Sequence, residues 1–352
     1  MRLGIPSRPW VGLDVGSYSV KLLAMQDGGA GRRVWVAEVP ATGEPDSERV
    51  AAAERLAKAI EECLSRAGLS LQAVRGITTA VAGPHVVVKQ ISLPPLEERE
   101  VGPALRFEAR KHVPFDPQGM VIDYQILGRH PEDRRLKVLL AAVSEEHVDR
   151  HLAPLRLLGA EPQILDATPL ALTNALLQVA EGDGHARALL DIGYTSSHLT
   201  LYQPDEPYFT RRLEFGGHQL TRAIAVARGV SPEEAEAWKL AAGADEPGAD
   251  GPWDSPEMRA MLDCLRNELM TELRRSFAFY RTIGPLPDPL TLWVSGGSAR
   301  LVGLAARLSE LLGSTVQVFN PLSSLLGEIH GPREPSDGPQ FGQAFGLALR
   351  TT

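Results

Sequence analysis

Gly12-Leu-Asp-Val-Gly-Ser-Tyr-Ser-Val-Lys-Leu22 and Leu189-Leu-Asp-Ile-Gly-Tyr-Thr-Ser-Ser-His-Leu199 are two copies of one pattern, roughly half a chain apart. Each runs from apolar residues through Asp-x-Gly to small hydroxyl residues and back to apolar residues. That order predicts strand, tight turn, strand: the apolar flanks suit buried strands, and glycine frees the turn. Asp14 and Asp191 then stand at two turn tips, each followed by accessible backbone N–H groups. A single Asp-x-Gly is more often an ordinary hairpin turn; two copies with matching flanks reverse that preference. Two such turns facing each other can clamp the phosphates of a nucleotide and its magnesium ion.

The chain has 352 residues, too many for one ordinary core, and this predicts two lobes. A hydrophobic share of 43% and a charged share of 23% are those of a globular protein. The net charge of −8 argues against a nucleic-acid partner, and the pairs Arg32-Arg33, Arg211-Arg212 and Arg274-Arg275 are scattered rather than striped. Cys63 and Cys264 fall on predicted helices in different halves without metal-ligand spacing, so they read as reduced packing residues of a cytosolic protein. No apolar run approaches the ~20 residues of a membrane span. Met1-Arg-Leu-Gly-Ile-Pro6 lacks a signal core and Leu349-Arg-Thr-Thr352 lacks an amphipathic tail. Membrane association is therefore expected only through a partner.

Outward from the first turn, strands are expected at Val11–Val15, Val20–Met25, Val34–Val39 and Ile77–Val81. A helix over Ala51–Ala67 carries the apolar stripe Leu56, Ile60, Leu64. Composition then changes. Val86–Ile91, a helix ending near Lys111, and strands at Val121–Leu127 and Leu136–Val143 form a small inserted unit over residues 82–143; Gly102 and Pro103 weaken the start of its helix. Helices follow at His147–Leu158 and Thr168–Val179, and after the second turn at Gln219–Arg228, Pro232–Leu240 and Met258–Tyr280. Gly243 to Ser255 is a turn-rich loop. Leu290–Val294 is a strand entering Gly296-Gly297, and Phe341–Arg350 a last helix. The expected division is 1–81 with 144–187 for the first lobe, 82–143 for the insert, 188–220 with 281–352 for the second lobe, and 221–280 for its helical part.

Several motifs surround the paired turns. Gly16 and Gly193 permit close backbone approach; Ser17, Thr195 and Ser196 add donors for phosphate oxygens, and Tyr18 and Tyr194 flank them. Lys21 can pair with a phosphate if it points back to the turn. Gly216-Gly217 and Gly296-Gly297-Ser298 each lead into a helix, whose N–H groups suit anions or a flat ring. Glu236 and Lys239, at i and i+3 on one helical face, either bond a ribose or form a solvated ion pair. His147 and His151 at i and i+4 lack companion ligands, His198 reads as a strand residue, and no nucleophile–histidine arrangement is evident.

The order of Asp-x-Gly turn, second Asp-x-Gly turn and strand-Gly-Gly-helix resembles the two phosphate motifs and the adenosine motif of the actin-like ATPase superfamily. Within it, Phe107-Glu-Ala-Arg-Lys-His-Val-Pro-Phe115 followed by Ile122-Asp-Tyr124 is similar to the signature of the PilM family of type IV pilus assembly proteins. Ser92-Leu-Pro, Leu140-Ala-Ala-Val-Ser144, Asn267-Glu-Leu and Gly342-Gln-Ala-Phe-Gly also match in order, so the resemblance runs from about Trp10 to Arg350. It implies an α/β fold of two actin-like lobes with an FtsA-like inserted subdomain, ATP and Mg²⁺ in the interlobe cleft with Asp14 and Asp191 at the metal, and at most slow hydrolysis. It also implies a cytoplasmic adaptor, peripheral to the inner membrane, that binds the cytoplasmic N-terminal segment of a PilN-like membrane protein with nucleotide modulating the contact. The pilus motor ATPase and platform proteins are further implied partners.

For the partner segment, the expected surfaces are the insert's strand edge, with Val87, Lys89 and Ile91, and its helix, with Phe107, Arg110, Lys111 and Phe115. Two departures from the family pattern stand out. Tyr18 and Tyr194 occupy turn positions that are more often small, which narrows the cleft or lines it with rings. In Leu165-Asp-Ala-Thr-Pro169 a second acidic residue is replaced, leaving Asp166 as the one candidate catalytic carboxylate. The alternatives are a small-molecule kinase of the same superfamily, for which Asp166 would be the base, and an FtsA-like filament former.

Overall fold

The computed structural model describes residues 8–28, 31–41, 49–116, 118–179, 187–203, 206, 208–242, 255–286, 290–325, 327–331 and 337–350. Most of the expected turn-rich loop, 243–254, lies outside them. Three sheets organise the chain. The first runs β14-β3-β2-β1-β4-β8, the second β11-β10-β9-β12-β13, and the third β5-β7-β6.

The duplicated turns sit in duplicated sheets. β1 (Trp10–Val15), β2 (Ser19–Gly28) and β3 (Gly31–Pro40) form an antiparallel meander, and β4 (Gly76–Val81) and β8 (Ile164–Ala167) add parallel strands on the far side of β1. In the second sheet β9 (Arg187–Ile192), β10 (Ser197–Tyr202) and β11 (Phe209–Leu213) repeat the meander, and β12 (Thr291–Ser295) and β13 (Thr315–Val318) repeat the parallel pair. β14 (Gly327–His330) extends only the first sheet. This is the two-lobed actin-like α/β fold. β1 is buried along nearly its whole length because helices cover both faces of its sheet, and its apolar run reflects that.

α1 (Arg49–Arg66) and α3 (Glu145–Leu157) pack together by the outer face of the first sheet, where Ile60, Cys63 and Leu64 enter a core with Leu13 and Leu22. Cys63 is fully buried and Cys264 partly so, and both are free thiols, as expected for packing residues. Between the sheets lie α4 (Thr168–Val179) and α11 (Gly342–Ala348), whose Leu172, Leu176 and Phe345 share one core with Leu23 of the first sheet and Leu189 of the second. α5 (Gly217–Arg228), α6 (Pro232–Ala242), α7 (Pro256–Cys264) and α8 (Met270–Tyr280) complete the second lobe, around Phe215 and Tyr280. The single helix expected over Met258–Tyr280 is α7 and α8 joined by a π turn at Leu265–Leu269.

The third sheet carries α2 (Glu98–Glu108) and a 3₁₀ turn at Ala109–Lys111 on one face of β5 (Val86–Leu93), β7 (Leu136–Ser144) and β6 (Met120–Arg129). Val101, Leu105 and Ala109 meet Ile91, Leu93, Val138 and Leu140 there. A capping box between Glu97 and Glu100 holds the start of α2 despite Pro103.

The interlobe helices approach backbone to backbone. A Cβ on Gly346 of α11 would lie 1.8 Å from the Ala171 carbonyl oxygen of α4, and one on Gly12 of β1 would lie 2.0 Å from that of Ala344. Neither neighbour is a flexible side chain, so neither can yield. Gly346→Ala is expected to destabilise the protein by at least about 3 kcal/mol, the range of a severe overpacking change. Urea unfolding monitored by tryptophan fluorescence reads the difference, and an unchanged midpoint would contradict this contact.

Candidate functional site

The two Asp-x-Gly segments make the same turn. Gly16 N–H donates to Ser19 O at 3.1 Å, and Gly193 N–H donates to Ser196 O at 3.2 Å. Each hairpin sets its aspartate opposite the residue seven positions on: Asp14 pairs in register with Lys21, and Asp191 with His198. The turns face each other across the gap between the sheets and touch. Thr195 Oγ1 donates to Ser17 Oγ at 3.2 Å, and the rings of Tyr18 and Tyr194 lie 5.1 Å apart at 42°. Tyr194 also meets His218 at 5.9 Å. The enlarged turn residues therefore line the cleft with rings. Behind them opens a cavity of about 540 Å³, within the usual size of small-ligand sites.

Asp14, Lys21 and Asp191 form its charged floor. Lys21 Nζ lies 3.5 Å from Asp14 Oδ2, so the lysine does point back to the turn. Gln343, from α11, donates to the other Asp14 oxygen at 3.0 Å. Burial raises the pKa of Asp14 against the pull of Lys21. Burial works against the charge of Lys21 too, but Asp14, Glu38 and Asp191 together outweigh it and leave its pKa above the ordinary lysine value. Asp191 has the weaker support: Ser295 Oγ donates to its Oδ1 at 2.7 Å, yet burial pushes its pKa up to about 6. Its register partner His198 is pulled down to about 4, by burial first and Arg212 second, and is uncharged near neutrality. A floor with two carboxylates and one lysine suits a divalent cation and a phosphate chain. Among the described residues no group of three or more His, Cys, Asp or Glu could hold a metal ion.

The glycine pairs act differently from exposed helix N-termini. Gly217 N–H donates to Gly193 O at 2.8 Å and His218 N–H to Tyr194 O at 2.9 Å, so the start of α5 is capped by the second turn itself. Gly216 has no room for a side chain: a Cβ would lie 2.3 Å from Tyr194 O. Gly296 has φ 89° and passes so close to β9 that a Cβ would meet Ile192 O at 2.4 Å. Gly216-Gly217 and Gly296 thus hold the second turn in place, and Gly217, Gly297 and Ser298 line the cavity. Glu236 and Lys239 are not a solvated pair. Lys239 is buried and spends its three donors on Glu236 at 2.7 Å, Thr221 at 2.8 Å and Gly217 O at 3.1 Å. Both still line the cavity.

Asp166 does not join this set. It lies at the end of β8, its carboxylate is buried, and Arg350 Nε reaches its Oδ2 at 3.3 Å. Thr168, at the start of α4, takes the cleft-facing place instead. Two further cleft residues carry no local signal in the sequence. Glu38 of β3 accepts from Ser19 Oγ at 2.6 Å, and Arg300, just after Gly296-Gly297, lies 3.8 Å from Glu38 and 3.2 Å from Asp337.

The candidate partner residues fall in three places. Val87 and Lys89 lie along the free edge of β5, whereas Ile91 is buried in the insert's core and presents no side chain to a partner. Phe107, 68% exposed, and Arg110 and Lys111 lie on the outer surface of α2 and its 3₁₀ turn, with Lys111 Nζ 5.9 Å from the Phe107 ring. Phe115 does not cap the insert's core. Its ring meets His85 at 6.0 Å, and His85 meets His147 of α3 at 5.8 Å, so this row joins the insert to the first lobe.

A family model described as type IV pilus assembly protein PilM matches residues 12–352. The chain belongs to the PilM family. A solved structure described as a PilM–PilN type IV pilus biogenesis complex is 30% identical, covers 96% of this chain and 97% of its own, and superposes with a TM-score of 0.77. More distant structures share the fold alone. The ethanolamine utilization protein EutJ from Carboxydothermus hydrogenoformans is 16% identical over 99% of this chain and 91% of its own, with a TM-score of 0.55. A diol dehydratase-reactivating factor in nucleotide-free form is 11% identical over 97% and 99%, also with a TM-score of 0.55. No helix among the described residues is long and apolar enough to cross a membrane.

The raised Asp191 pKa has a stability consequence whose sign is fixed. Between the ordinary value of 3.8 and about 6, the folded chain holds a proton that the unfolded chain releases, so stability falls as pH rises through this window. Above it the ionised, unliganded carboxylate costs about 3 kcal/mol. Asp191→Asn removes the charge and keeps the shape. Without nucleotide it is expected to melt higher than the wild type at about pH 7.5, with the gain vanishing near pH 4. Differential scanning at both pH values checks this; an equal difference at both would contradict the burial of an ionised Asp191.

Proposed function

We propose that this chain is an ATP-binding adaptor of the type IV pilus inner-membrane assembly platform. It takes the cytoplasmic N-terminal segment of a PilN-like membrane protein, and nucleotide sets the strength of that contact. The observation that carries the nucleotide half is the pair of matching turns meeting face to face over Asp14, Lys21 and Asp191. Asp14 and Asp191 would hold Mg²⁺. Gly16, Ser17 and Tyr18 from one turn, Gly193, Tyr194, Thr195 and Ser196 from the other, and Lys21 would hold the phosphates. Gly216, Gly217, Glu236, Lys239 and Gly296 to Ser298 would take the nucleoside.

The partner half rests on family membership and on the Phe115–His85–His147 row, which places apolar and aromatic surface at the junction of insert and first lobe. The insert over 82–143 is the partner-reading subdomain. The remaining core falls into a first lobe of 1–81 and 144–187 and a second of 188–220 and 281–352, with 221–280 as helical subdomain. The chain works on the cytoplasmic side of the inner membrane, held there through its partner, in reach of the motor ATPase and platform proteins.

One row of residues supports coupling between the two halves. Ser295, Asp191, His198 and Arg212 are register partners across β12, β9, β10 and β11, so they share one face of the second sheet. The row starts at the candidate metal site and ends at the sheet edge nearest the insert. A ligand that moves Asp191 therefore acts on packed neighbours leading to the insert's border. Fast catalysis has little support: a small-molecule kinase needs a carboxylate base in the cleft, and Asp166 instead faces Arg350.

Calorimetric titration with Mg-ATP tests the cleft. Asp14→Ala and Asp191→Ala are each expected to weaken binding at least about tenfold, or 1.4 kcal/mol. Wild-type affinity in both variants would sink the assignment.

A further inference from the structure

A second cavity, of about 680 Å³, lies between the insert and the second lobe, closed at one end by Ala82, Gly83 and the first lobe's Pro169, where it adjoins His147 of the Phe115 junction. One wall is β5 and the other is β11, and each is the last strand of its own sheet. The two edges come together without pairing. Tyr208 N–H, just before β11, donates to the side chain of Gln90 on β5 at 3.0 Å, and among the described residues no backbone hydrogen bond joins the strands. In an antiparallel ladder, alternate residues turn both backbone groups away from their neighbour. Tyr208 directs its N–H into the groove, so Thr210 and Arg212, two and four residues on, do the same. Unpaired edge groups of this kind are a template for an added strand.

The side chains specify what that strand carries. Val86, Val88 and Phe209 line the groove, and Phe279 and Ile283 form its lip, 53% and 40% exposed. The rings of Phe209 and Phe279 lie 5.8 Å apart, tilted by 35°. The charged lining consists of Lys89, Arg211 and Arg212, without a carboxylate among the described lining residues, on a chain whose net charge is −8. Glu272 and Glu214 hold the outer ends of Arg211 and Arg212, but Lys89 has no ionic partner among the described residues, and Arg212 Nε is buried without a hydrogen bond.

We infer that the groove between β5 and β11 is a second docking site, taking an extended partner segment in which apolar and acidic side chains alternate. The segment adds to the free edge of β11, sets its apolar side chains between Val88 and the Phe209–Phe279 pair, and turns its carboxylates to Lys89 and Arg212. Such strand addition gives affinity through main-chain bonds and selectivity through alternate side chains.

The test uses a fluorescein-labelled hexapeptide alternating Val and Glu, the same peptide with Lys in place of Glu, and the acidic peptide N-methylated at alternate amides. By anisotropy on the full chain, the acidic probe is expected to bind at least about tenfold more tightly than the basic one, and N-methylation to abolish binding. Lys89→Glu and Thr210→Pro are each expected to weaken the acidic probe about tenfold; proline is tolerated on an edge strand, and the N-methylated probe reports on the backbone without altering the protein. Equal binding of the acidic and basic probes, undiminished binding after N-methylation, or displacement of the acidic probe by a PilN-type N-terminal segment would each overturn the assignment.

Discussion

Two carboxylates, Asp14 and Asp191, are held at the floor of one interlobe cleft with a single lysine to answer them, and much of the structure serves to keep them there. Like charges brought together in a poorly solvated place oppose ionisation, and burial raises both pKa values. The first aspartate is compensated by Lys21 and by the amide of Gln343. The second copy of the turn carries an uncharged histidine where the first carries lysine, so Asp191 is left with Ser295. The duplication is therefore asymmetric in charge: the aspartate of one turn is paired with a lysine, and that of the other is not.

The same constraint accounts for the crowding around the second turn. The start of α5 caps it, Gly296 runs against β9, and Lys239 ties α6 to the start of α5. The first turn leans on α11 through Gln343, and α11 is fixed to β1 and α4 by contacts that admit no side chain at Gly12 or Gly346. Beyond the core that α4 and α11 share with both sheets, the lobes also meet at a hydrogen bond and a ring pair between the turns and at the Glu38–Arg300 contact across the cleft.

Much of this was legible in the sequence, because apolar runs and Asp-x-Gly signal a strand–turn–strand wherever they occur, and two matching copies imply facing sites. The insert was legible for the same reason, its helix carrying Val101, Leu105 and Ala109 at regular spacing. What escaped depends on distance along the chain. Gln343 reaches Asp14 from 329 residues away, and Arg350 neutralises Asp166 from the C-terminal end, so no local pattern marks either. Glu236 and Lys239 look like a surface pair on a helix, and only the packing of α6 against α5 buries them. The edge of β5 reads as open in isolation; β11, which faces it, lies 118 residues on at the Tyr208–Gln90 bond.

The proposed link from nucleotide to partner runs through the relative placement of two lobes, and linkage of that kind is reciprocal. The affinity of a PilN-type N-terminal segment, measured by calorimetry with and without saturating Mg-ATP, tests it most directly. A change of at least about fivefold, near 1 kcal/mol and lost in Asp191→Ala, is the predicted result. The same affinity with and without nucleotide in the wild-type chain, with Mg-ATP shown to be bound, would contradict it.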